Sequence, residues 1–130
     1  MITISDFKDW IKTKIDCPNW FVGGLRTTDE KAIVIYNGQA FINPMAIGGP
    51  QNSSYKGKGI RMLIHWNKNV RETEIKAQEV YNTLHGVTNV IIAGKRVIQF
   101  NMRDPEPVYL GVDDSGIYEY VIDLEIIHER

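Results

Sequence analysis

The chain has 130 residues, 43% of them hydrophobic and 24% charged, a net charge of −1 and one cysteine, Cys17. That size and balance suit one globular domain over 1–130 and exclude a disulfide scaffold and a helical membrane span, since no apolar run approaches the roughly eighteen residues a span needs. Near-neutral charge argues against a protein whose main task is to grip nucleic acid, and the opening MITISDF has neither the positive nor the apolar region of a secretory signal, so an intracellular protein is expected.

Residues 3–15 put Ile4, Phe7, Ile11 and Ile15 on one helical face, with Trp10 and Lys14 beside it, which predicts a helix of about thirteen residues. Thr3 is its cap with Asp6 three positions on, and Asp16-Cys17-Pro18 is its end, because a residue before proline is pushed out of the helical region. NWFVGGL at 19–25 reads as a short strand in which Gly23-Gly24 suggests a bulge or the close approach of another backbone. After a polar turn at 27–30, residues 32–36 form a compact apolar strand closed by Asn37-Gly38, the strongest short hairpin signal in the chain.

From 41 to 55 the pattern becomes FINPMAIGGPQNSSY, a long loop of the kind that usually carries function; a strand over 41–47 followed by a turn is the alternative. Its candidate partner-docking residues are Asn43, Pro44, Gly48, Gly49, Pro50, Asn52 and Tyr55.

The rest of the chain is organised around residues 55–86. Ile60, Met62, Ile64 and Trp66 recur at every second position, Lys56 and Lys58 extend that face, and Arg61, Leu63 and His65 make the opposite face only partly apolar, so 55–66 is a half-buried strand. Asn69 is an N-cap able to accept from the amide of Glu72. In the helix that follows, Val70, Thr73, Ala77, Val80, Tyr81 and Leu84 form the buried stripe, Lys76 lies elsewhere with the other charges, and Gly86 is the left-handed stop.

Residues 89–93 read as a buried strand, Gly94-Lys95 as a turn and 96–102 as its hairpin partner. RDPEP at 103–107 breaks the ladder, 108–112 is a short extended piece, and Asp113 to Gly116 form a turn. Tyr118, Tyr120, Ile122, Leu124, Ile126 and His128 share one face of a last strand over 117–128, roughly 40 Å long, whose far end is expected to overhang the sheet or serve a neighbour.

Between Lys56 and Lys76 stand six basic residues against two acids, while from Asp104 onward there are eight acids against Arg130 alone. Two opposed charged ends could meet on neighbouring copies in a head-to-tail ring. The candidate subunit-interface residues are Lys56, Lys58, Arg61, Lys68 and Arg71 with Asp113, Asp114, Glu119, Asp123 and Glu125.

No H-x-x-x-H, C-x-x-C or acidic calcium loop is present, so His65, His85 and His128 read as strand-face or surface residues and no metal or cofactor is expected. Asp113-Asp114 reads as turn chemistry, and no thiol-enzyme signature surrounds Cys17. Two other classes stay open. One is a small enzyme or ligand-binding α+β domain using Asp113, Asp114, His65 and a basic residue; the other is a nucleic-acid module using Lys56, Lys58, Arg61, Lys68 and Arg71.

The I-G-G-P-Q-N-S-S-Y region, the I-H-W-N-K-N passage at 64–69 with its T-E-I-K-A-Q helix, and G-V-D-D-S-G-I-Y-E at 111–119 together resemble the minor capsid and tail terminator proteins of long-tailed bacteriophages, also called tail completion or head-tail joining proteins. The resemblance implies an α+β fold, with a mixed, mostly antiparallel sheet and an N-terminal and a central helix packed on it. It further implies a non-enzymatic, cofactor-free structural protein of the virion neck that assembles in the host cytoplasm as a homo-hexameric ring. Its expected partners are the major tail tube protein and the head-completion or connector protein, with DNA passing through the bore without sequence recognition.

Overall fold

The computed structural model describes residues 1–25, 30–39 and 55–129. The predicted loop residues Asn43, Pro44, Gly48, Gly49, Pro50 and Asn52 lie outside them, as do 27–29 of the predicted turn. Tyr55, assigned above to the loop as well as to the strand, opens a strand.

The elements run α1 (Ile4–Ile11), β1 (Asn19–Val22), β2 (Ala32–Asn37), β3 (Tyr55–His65), α2 (Val70–Leu84), β4 (Thr88–Ile92), β5 (Lys95–Met102), β6 (Val108–Val112) and β7 (Tyr118–Glu129). The seven strands form one sheet in the order β1-β2-β3-β7-β5-β4, with β6 also paired to β7. Every pairing is antiparallel except β1 with β2. This is the expected α+β architecture with a mixed, mostly antiparallel sheet.

Both helices pack on one face of that sheet. Phe7 and Ile11 of α1 and Ala77, Val80, Tyr81 and Leu84 of α2 share a core with Ile33, Ile35, Ile60, Met62, Ile64, Ile122, Leu124 and Ile126. The sheet curls far enough for β5 to reach α1: the Phe100 ring lies 6.1 Å from Phe7 and 5.3 Å from Trp10. A slip of register between Val97 and Gln99 turns both Val97 and Phe100 inward on β5, which strict alternation would forbid.

The caps behave as their chemistry requires. Thr3 and Asp6 form a reciprocal capping box at α1, and the Asn69 side chain accepts from the Glu72 amide 3.1 Å away at α2. Gly86, at φ +84°, stops α2 in the left-handed region that side chains avoid.

Several expectations are corrected. α1 ends at Ile11, four residues early, because the chain tightens there: both the Thr13 amide and its hydroxyl bond the Trp10 carbonyl. Ile15 is buried all the same. Asn37-Gly38 is no two-residue hairpin, since Asn37 pairs with Ile60, far along β3. Gly38 is needed for close approach instead, as a Cβ there would stand 2.8 Å from the Ile60 carbonyl carbon. Gly23 and Gly24 have no such neighbour, and Gly23 serves a positive φ of 84°.

Val70 is exposed, whereas Lys76 is buried, its ammonium 4.9 Å from the centre of the Trp66 ring and donating to the Asp16 carbonyl and to Glu79. β4 is a largely exposed edge strand, and its turn falls at Ala93-Gly94, both at positive φ, the geometry a tight hairpin demands. β7 does not overhang: β3 pairs with it from Tyr55–Glu129 to His65–Glu119, while β6 and β5 divide its other side.

Candidate functional site

Because β3 and β7 are adjacent and antiparallel, the basic and acidic stretches lie side by side and not at opposite ends of the molecule. Arg61 stands directly opposite Asp123 and binds it with two hydrogen bonds, of 2.8 and 3.2 Å, which holds the guanidinium pKa above its usual value. Lys58 donates to the Asn37 side chain. Glu125 is buried opposite Gly59, and its carboxylate packs so closely over Gly57 that a Cβ there would meet it at 2.8 Å. Lys56, Lys68, Arg71 and Asp114 are exposed.

The same register brings together a cluster that sequence spacing conceals. His65, at the end of β3, faces Glu119 across the ladder, with its Nδ1 2.8 Å from the Glu119 Oε2. Asp113, at the end of β6, reaches the same imidazole from the turn, its Oδ2 3.7 Å from Nε2. That turn is locked: the Asp113 Oδ1 accepts from the amides of Ser115 and Ile117, and Gly116 supplies φ +84°. His65 is fully buried on the face of the sheet away from the helices, and the two carboxylates are partly exposed. Its imidazole is thus no bland strand-face residue. Asp114, grouped with Asp113 and His65 in the ligand-site reading, stays exposed on the turn.

His85 and His128 remain remote from this cluster in the fold. His85 stacks on Tyr81 at the end of α2, and His128 donates from Nδ1 to the Glu129 carbonyl, with burial lowering its pKa. The Cys17 thiol donates to the Asn19 carbonyl, and burial pushes its pKa up, the reverse of what a nucleophile needs.

Sequence reasoning missed one surface. Val108, Tyr109, Leu110 and Val112 are all about half exposed or more, on a strand that among the described residues pairs with β7 alone. Tyr109 packs edge-on against Tyr120, and both line a groove between β6 and α2 with Glu74, Gln78, Glu106 and Pro107. The available signal was composition. VYLGV is apolar on both faces, which is unusual for a strand that has no second neighbour among the described residues.

Among the described residues, then, the β6 edge has no second strand beside it. A family profile described as bacteriophage tail terminator protein matches residues 13–130, all but the segment before the end of α1's closing turn. No curated protein matches the chain. The chain therefore belongs to the bacteriophage tail terminator family, and its role is that of a structural component of the phage tail, within the virion.

Proposed function

We propose that six copies form a ring at the head-proximal end of the tail tube, where the ring stops tube polymerisation and joins the tail to the head connector. The observation that carries this reading is the family match over 13–130. DNA passes through the bore without sequence recognition, the partners are the tail tube protein and the connector, and the protein performs no catalysis.

The geometry suggests where one copy meets the next. A strand edge that is unpaired among the described residues and carries Leu110 at 58% exposure is a template for another chain and a liability in a monomer. In a head-to-tail ring each copy offers this edge to a different surface of its neighbour, and closure of the ring leaves none open. Of the charged interface residues, Lys56, Lys68, Arg71 and Asp114 are exposed, which supports assigning them to that contact, whereas Arg61 and Asp123 already serve each other.

Sedimentation velocity over a wide concentration range, followed by electron microscopy with growing tail tubes, tests the proposal. A six-fold species, or tubes of limited length capped at one end, is expected, and Leu110→Arg should weaken assembly while the monomer stays folded. Monomers at every concentration together with unrestricted tube growth would overturn it.

A further inference from the structure

The cluster at His65 has no role in the ring proposed above. The Glu119 Oε2, a carboxylate oxygen that accepts, lies 2.8 Å from Nδ1, which leaves Nε2 as the ring nitrogen available to a ligand. Among the described residues that nitrogen, which is buried, has no hydrogen-bond partner, and it faces the Asp113 Oδ2 at 3.7 Å. A buried ring nitrogen and a partly exposed carboxylate oxygen thus face each other across a gap. At 3.7 Å a proton on Nε2 makes an ion pair with Asp113 but no hydrogen bond that would close the gap.

A divalent cation closes it. With bonds of about 2.0–2.2 Å to nitrogen and oxygen, a metal between atoms 3.7 Å apart subtends an angle of about 115–135°, a widened tetrahedral angle. Asp113 is preset for the purpose, because its other oxygen is held by the Ser115 and Ile117 amides. Glu119 supplies the outer carboxylate that orients metal-binding imidazoles and makes them more basic. Asp113 and Glu119 are 22% and 15% exposed, so solvent reaches the carboxylate side of the cluster although His65 itself is buried. One imidazole and one carboxylate select first-row transition metals over magnesium or calcium, which favour all-oxygen sets.

We propose that His65 Nε2 and Asp113 Oδ2 bind a divalent transition metal of the zinc class, with Glu119 as the positioning residue, and that the metal ties the turn between β6 and β7 to the end of β3. The test is calorimetry on chelator-treated full-length protein with zinc chloride, and magnesium chloride as comparison, alongside thermal unfolding and the ¹⁵N shifts of the imidazoles. One zinc per chain, a melting temperature that rises with zinc and not with equal magnesium, and a shift of the His65 Nε2 resonance are expected. Asp113→Asn keeps the turn-locking acceptor and should bind zinc at least about tenfold more weakly, in the range that altered metal surroundings produce. Absence of saturable binding, unchanged affinity in Asp113→Asn, or a shift at His85 or His128 with none at His65 would each overturn the proposal.

Discussion

Leu84→Ala tests the placement of α2 most directly. Leu84 is fully buried in the last turn of α2, within the core shared by both helices and the sheet. Truncation removes three carbons, a transfer loss of about 2.4 kcal/mol at roughly 0.8 per carbon. The cavity adds to this, because the surrounding isoleucines and Val80 are branched and held by strand and helix backbones that cannot collapse inward. We expect a loss of about 3–4 kcal/mol, read as a lower urea midpoint with an unchanged slope. Ile75, on the same helix but 61% exposed, is the internal control, and Ile75→Ala should stay within about 0.5 kcal/mol. Equal losses at the two positions, or a loss below about 0.5 kcal/mol at Leu84, would show that α2 buries another face.

Gly38→Ala forces a Cβ to within 2.8 Å of the Ile60 backbone, which cannot swing aside as a side chain would, and should cost about 1–3 kcal/mol; an unchanged urea midpoint would refute the close approach of β2 to β3. Arg61→Ala breaks a pair whose arginine is half exposed, so solvent screening limits the loss to about 1 kcal/mol or less, and a larger loss would mean that the pair does more than decorate the surface. His128 titrates below its ordinary 6.5 because burial penalises the imidazolium. As pH falls from that value towards the depressed one the unfolded chain binds the proton first, so stability present above 6.5 is lost through that window. His128→Gln should flatten this part of the stability profile, and an identical pH slope in the two proteins would count against it.

What was legible in the chain was local. The Thr3 and Asn69 caps and the Gly86 stop depend on residues a few positions apart, and they hold in the fold, whereas the half-buried alternation expected of β3 and β7 gives way at 62–65 and 124–128, where both faces of the sheet are covered. The Asn37-Gly38 reading failed because its signal is equally strong where a glycine merely admits a neighbouring backbone. Lys76 was misplaced because a charge on a helix reads as solvated, yet the Trp66 face and the Asp16 carbonyl hold its ammonium. The exposed row on β6 escaped notice because four apolar residues in five look buried until the sheet order shows no second neighbour among the described residues.

The sequence by itself determined the class of fold, the helix limits set by caps, and the kinship of the chain, since periodicity and motif are written in nearest neighbours. Only the tertiary structure decided what meets what. The antiparallel register of β3 with β7 joins His65 to Glu119 and Arg61 to Asp123, partners 54 and 62 positions apart, and the turn swings Asp113 onto the same imidazole. A one-residue slip in that ladder would send every one of these side chains to the opposite face, and no local pattern in either strand specifies which partner residue it meets.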